Sequence, residues 1–305
     1  MRLRTLAAIL ALPFAAAVLT AAAQTAYLHV DEPIGDVRSL YSGTLYPDLQ
    51  VNTFRNIQRL FPTRVVEAGA EPYPLREASR RLDNFSFESD GRRWHLSDVL
   101  SLNRVAGLLV VHRDAVVFER YLLGNTRQTK WMSMSVVKSM VATLAGAAIR
   151  DGHIESLDDP LLRYLPELEG SAYDGVSVRN LLQMTSGVAW NETYTDPASD
   201  RRAMLEAQIA QQPGAIMRLM ASLQRAAEPG SRWNYSTGET QVVAALVAAA
   251  TGRPVARYLS ETIWRPFGME SDATWWLASP EGLEVGGSGL SATLRDYARF
   301  GLFML

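Results

Sequence analysis

Ser135-Val136-Val137-Lys138-Ser139-Met140-Val141-Ala142-Thr143-Leu144-Ala145-Gly146-Ala147-Ala148-Ile149-Arg150 opens on a hydroxyl and continues as a run apolar on nearly every side. Such a run is a helix buried in a core, because a surface helix keeps one polar face. Asp151-Gly152 follows, with glycine placed where helices end. Residues three apart share a helix face, so the Ser135 hydroxyl and the Lys138 amine can meet. Ser135 stands in the first turn, where a backbone N–H is free and the helix dipole favours negative charge. An attacked carbonyl develops that charge, so the N–H is a natural oxyanion donor. Lys138 lies one turn deeper, where burial disfavours the ammonium and prepares a base. The plain alternative is a serine cap followed by a solvated lysine, and so apolar a helix argues against it.

Composition sharpens this reading. Of 30 basic residues only two are lysine, Lys130 and Lys138. Arginine holds its proton in proteins, whereas lysine can act as a base once burial lowers its pKa. The chain has no cysteine, which excludes a thiol nucleophile, a disulfide and an iron–sulfur cluster. A net charge of -2 provides no basic footprint for nucleic acid. His29, His95, His112 and His153 fall at no metal-ligand spacing, so neither a metal nor a cofactor is expected. With 305 residues, 48% of them hydrophobic, the chain can bury a sizeable core.

Outward from the helix, Val105–His112 and Ala115–Tyr121 are β-branched runs separated by Arg113-Asp114, a hairpin pattern. Residues from about 155 to 285 carry mostly helical signals, among them Thr240–Ala250 closed by Gly252. A glycine-rich stretch, Gly286-Gly287-Ser288-Gly289, follows, and Asp296–Leu305 resumes a helical pattern. Residues 24–90 are rich in turn formers and are expected as an extension packed on a main domain spanning 91–305. Arg2 and Arg4, the apolar run Leu6–Leu19 and Ala21-Ala22-Ala23 have the layout of an export signal over residues 1–23. Pro13 interrupts that run, which is short for a membrane span, so cleavage and a periplasmic or secreted product are expected, with no stable membrane span afterwards. The fold class is α+β.

Four segments after Ser135 complete a pattern. Leu181-Leu182-Gln183-Met184-Thr185-Ser186-Gly187 is one. Pro229-Gly230 leading to Trp233-Asn234-Tyr235-Ser236-Thr237 is the second. Gly286 to Phe300 is the third, and Trp190-Asn191-Glu192-Thr193-Tyr194 before Asp196-Pro197 the fourth. Together with S-x-x-K they resemble the penicillin-binding and serine β-lactamase superfamily over roughly residues 95–305. Within it the group most resembled is the 6-aminohexanoate-dimer (nylon-oligomer) hydrolases and their esterase relatives.

The resemblance implies an antiparallel sheet flanked by helices, an all-helical subdomain, and a site between them. It implies Ser135 as nucleophile, Lys138 as base and Tyr235 as proton relay. Tyr194, Thr237 and Trp190 are its candidate substrate contacts, with Trp131 and Trp233 as further aromatic neighbours, although packing is the commoner role of a single tryptophan. A small linear amide or ester is the implied substrate. β-Lactamases usually carry asparagine where Thr237 stands, and threonine offers only a hydroxyl, which disfavours β-lactams. The rival readings are a β-lactamase or D-alanyl-D-alanine carboxypeptidase-type enzyme, and a non-catalytic binding module on the same fold. The resemblance also implies a further motif on a strand after the glycine-rich segment. The sequence stops at Phe303-Met304-Leu305 within a helical pattern, so an incomplete catalytic domain is expected.

Overall fold

The structure, a computed structural model, describes residues 27–305 apart from Asn84; the segment with the layout of an export signal lies outside the described residues. A four-stranded antiparallel sheet forms the floor of the molecule. Its strands are β1 (Thr63–Val66), β4 (Lys130–Met132), β5 (Ala273–Trp276) and β6 (Leu290–Thr293), in the order β1-β5-β6-β4. The hairpin β2 (Gly107–His112) and β3 (Ala115–Tyr121) lies in a separate sheet, where Arg76–Glu77 pairs parallel to the start of β3. Arg113 and Asp114 both adopt positive φ, 49° and 61°, as a two-residue hairpin loop of matching twist requires.

The helix expected from Ser135 is α1 (Val136–Arg150), with Ser135 as its N-cap and Gly152 in the left-handed region after it. Val137, Met140, Val141, Leu144 and Ala148 are fully buried, which accounts for its apolar sequence. Beside it lies α4 (Thr237–Thr251), buried along Thr237–Val247 and ended by left-handed Gly252. Two shorter helices, α2 (Asp200–Ile209) and α3 (Ala215–Ser222), pack against α4, and α5 (Leu294–Met304) follows β6 directly. Among the described residues no single helix is long and apolar enough to cross a membrane.

Two expectations need correction. The helical region ends at Phe267, because Ala273–Trp276, inside the stretch expected to be helical to about residue 285, is a strand held between β1 and β6. Its aromatic and β-branched residues favour a pleated surface. Nor are residues 24–90 merely packed on a domain: Thr63–Val66 supplies an edge strand of the central sheet, registered Thr63 to Trp276 and Val66 to Ala273. Trp276 donates its indole N–H to the Ile57 carbonyl at 2.7 Å, tying the same two parts together. The sheet could not be seen in the sequence because its strands are three or four residues long and come from three distant segments. Alternation needs a longer run to register.

Candidate active site

Strand β4 ends at Met132, and Ser133 N–H continues its pairing to the Leu290 carbonyl at 2.7 Å. Met134 then turns the chain with φ of 43°, a conformation non-glycine residues occupy only at a cost of about 1–3 kcal/mol. The strained turn delivers Ser135 to the start of α1. The Ser135 hydroxyl makes no helix cap. Its Oγ instead lies 3.1 Å from Lys138 Nζ and accepts from the Tyr235 hydroxyl at 3.1 Å. Lys138 Nζ also donates to the Gly287 carbonyl at 2.7 Å and sits 5.4 Å from the centre of the Tyr235 ring. Burial pushes the Lys138 pKa down to about 8, with the Arg201 charge acting the same way and the Glu192 carboxylate opposing both. Two side chains, Lys138 from the first turn of α1 and Tyr235 from the segment before α4, thus converge on the Ser135 oxygen.

The other sequence segments hold these three in place. Asn234 N–H donates to the Met184 carbonyl at 2.9 Å, and Gly230 N–H to the Thr185 carbonyl at 2.7 Å. The Met184–Gly187 segment is therefore the bed on which the Tyr235 loop lies. Gly187 has φ of 80°, and a Cβ there would come within 2.0 Å of the Ala227 carbonyl oxygen, so no other residue fits. The glycine-rich segment is held by Gln241 of α4, whose amide donates to the Glu284 carbonyl at 3.0 Å and accepts from Gly286 N–H at 2.9 Å. A Cβ on Gly287 would stand 2.4 Å from Thr237 Cγ2 and 3.4 Å from Lys138 Nζ. Glycine there lets the carbonyl reach the amine.

Tyr194, Thr237 and Trp190 meet, but on a carboxylate that the sequence reading did not assign. Glu192 accepts from Trp190 Nε1, from the Thr237 hydroxyl, from Thr237 N–H at 2.9 Å and from the Tyr194 hydroxyl at 3.0 Å. Burial and the Glu192 charge push the Tyr194 pKa up to about 12. The Trp190 indole is buried against Gly238, and Trp131 stacks on Phe54 with ring centres 5.4 Å apart. Trp233, 65% exposed, stands free on the Tyr235 loop. Behind Tyr194 lie two more residues absent from the sequence reading. Tyr41 stacks on Tyr194 with ring centres 6.1 Å apart, and the Arg201 guanidinium lies 4.3 Å over Tyr41 and 5.5 Å over Tyr194. Glu192 was visible as the one charge within Trp190–Tyr194, whereas nothing in the sequence connects Tyr41 with a site that begins 94 residues later.

A beta-lactamase family model matches residues 103–305, which takes in Ser135, Lys138, Glu192, Tyr194, Arg201, Tyr235 and Gly287 but not Tyr41 or Phe54. The chain belongs to the beta-lactamase family. It is 31% identical over 257 residues to the 6-aminohexanoate-dimer hydrolase of Paenarthrobacter ureafaciens, covering 83% of this chain and 64% of that protein. It is also 31% identical over 158 residues to esterase EstB of Burkholderia gladioli, covering 50% of this chain and 40% of the esterase. The chain thus spans less than two thirds of the length of either relative. A solved beta-lactamase-fold structure, assigned as a 6-aminohexanoate-dimer hydrolase from Bacillus anthracis, superposes with a TM-score of 0.78 at 22% identity, covering 89% of this chain and 73% of that one. The antiparallel sheet flanked by helices, expected from the sequence, is the fold these beta-lactamase relatives share.

Proposed function

We propose that the protein is a serine hydrolase that cleaves linear amides or esters through an acyl-enzyme on Ser135. One observation carries this: Ser135 Oγ lies 3.1 Å from both a buried lysine amine and a tyrosine hydroxyl, with no helix cap holding it back. Neutral Lys138 takes the Ser135 proton as Oγ bonds to the substrate carbonyl. Ser135 N–H, which has no protein acceptor among the described residues, stabilises the developing oxyanion. As the intermediate collapses, the leaving amine or alcohol receives a proton through Tyr235, which regains it from the Lys138 ammonium. Water then attacks the ester carbon by the reverse relay and frees the acid. The hydrolase and esterase relatives support this substrate class. Thr237, which donates its hydroxyl to Glu192, supports linear substrates over β-lactams.

The test is Ser135→Ala together with a substrate panel. The variant is expected to lose labelling by a fluorophosphonate and several orders of magnitude of aryl-ester turnover, because the covalent route is gone. The native protein is expected to turn over an aryl ester or a linear amide faster than a cephalosporin. Turnover surviving in the Ala variant would refute the nucleophile, and a faster cephalosporin would make the β-lactamase reading the better one.

A further inference from the structure

Glu192 is the most heavily bonded carboxylate in the cleft. Four donors converge on its two oxygens: one from Trp190, one from Tyr194, and both the N–H and the hydroxyl of Thr237. An ionised carboxylate has about four lone-pair sites, so the group is saturated and none is left for a substrate. The bonds join two separate pieces of chain. Trp190 and Tyr194 flank Glu192 on one loop, whereas Thr237 begins α4 two residues after Tyr235. The carboxylate is also close to the base. A Cβ on Gly287 would meet both Thr237 Cγ2, at 2.4 Å, and Lys138 Nζ, at 3.4 Å, so the Thr237 end of the clamp lies beside the lysine amine. Donors to a charged acceptor make stronger bonds than neutral pairs, so the clamp is a firm one.

We propose that Glu192 is a positioning residue with two effects: it clamps the Trp190–Tyr194 loop to the start of α4, fixing Tyr235 against Ser135, and it holds a negative charge on the Thr237 side of Lys138. The inference rests on the serine-hydrolase reading above. The charged and titratable groups facing Lys138 are Glu192 from the loop, Arg201 from α2 and Tyr235 from the segment before α4. Tyr194 and Lys138 both feel the Glu192 charge, and Arg201 acts on each of them in the opposite sense. Among the described residues Glu192 is the one carboxylate acting on Lys138, so removing its charge leaves burial and Arg201 unopposed there. The lysine must then lose its proton at a lower pH than it does now.

The two-lysine composition makes this measurable without turnover. In the full chain labelled with 15N-lysine, Lys138 and Lys130 give two Nζ signals, and Lys130, on β4, is the internal control. Glu192→Gln removes the charge and, with one oxygen in place of two, strands part of the donor set. Glu192→Asp keeps the charge but is one methylene too short for the clamp. The expected result is a Lys138 titration midpoint that falls in the Gln variant and returns toward the native value in the Asp variant, with Lys130 unmoved. The rate of Ser135 labelling by a fluorophosphonate, read above the midpoint, is expected to fall about 100-fold in both variants, the scale of a misplaced reacting group. A merely structural role would not separate the two readouts. An unchanged Lys138 midpoint in Glu192→Gln, or full labelling rates in both variants, would overturn the proposal. Native protein that titrates at Lys138 as described but never labels at Ser135 would instead count against the hydrolase reading and leave the electrostatic effect of Glu192 measured.

Discussion

A lysine works as a base only where its ammonium is disfavoured, and Lys138 meets that condition through its place on α1, one turn inside the core. Its neutral fraction grows as pH rises through about 8, so ester hydrolysis and Ser135 labelling are expected to climb along a limb centred there. Lys138→Arg keeps the charge but cannot accept the proton, and it should remove that limb and nearly all acylation. An Arg variant acylating at close to the native rate would show that Lys138 is only electrostatic. The same burial has a cost for folding. The folded pKa of about 8 lies below the unfolded 10.5, so between these values the unfolded chain binds more protons and stability rises with pH. Below about pH 8 the deficit is at its full size. Lys138→Met is therefore expected to be inactive yet to melt higher, with the gain largest below pH 8 and shrinking toward pH 10.5; an equal gain at all pH values would contradict this. The pair itself was legible because helical spacing is local. Glu192 stood out only as the single charge of its segment, since its importance arises from four donors that only the folded chain gathers.

At the scale of elements, α4 shows both what patterning reveals and what it hides. Its apolar length, closed by Gly252, announces a central helix, and the structure extends the expected Thr240–Ala250 to Thr237–Thr251. The first turn carries Glu239, buried beneath the Tyr235 loop, where one oxygen accepts from the Ser186 hydroxyl and the other has no partner. The Tyr173 hydroxyl is likewise buried without a partner. Burial raises the Glu239 pKa from 4.5 to about 7. The folded carboxyl thus keeps its proton over a range where the unfolded one has lost it. Stability falls as pH rises from 4.5 to about 7 and stays reduced above that. Glu239→Gln is neutral at every pH, so its melting temperature should exceed the native value by more at pH 8 than at pH 4.5. In a chain of this size each kcal/mol recovered is worth about 2–4 °C. The same difference at both pH values would mean that Glu239 does not titrate in this window. The strand Leu290–Thr293, by contrast, announces nothing: it follows a glycine-rich stretch, is buried at every residue and shows no alternation. Its position is decided by pairing with β4 and β5, which is long-range information.

Across the whole molecule, residues that precede the family match complete the wall of the site. Tyr41, on the short helix Val37–Ser42, is buried with its ring parallel to Tyr194 and covered by the Arg201 guanidinium. Its hydroxyl donates to Ser288 Oγ at 3.1 Å, next to the Gly287 carbonyl that holds Lys138. One side chain therefore supports both the Tyr194 loop and the glycine-rich segment. Removing a buried aromatic ring costs about 3–5 kcal/mol, and here it also takes away the face on which Arg201 rests. Tyr41→Ala is expected to lower the melting temperature by about 10 °C and to slow Ser135 labelling in the protein that remains folded. Tyr41→Phe keeps the ring and loses a single hydrogen bond worth about 1 kcal/mol, so its melting temperature should stay within a few degrees of native. The contrast between the two variants separates packing from the bond to Ser288. Labelling that is slowed equally in both would assign the effect to the Ser288 contact. Native labelling in Tyr41→Ala at temperatures where it is folded would show that Tyr41 supports the fold without shaping the site.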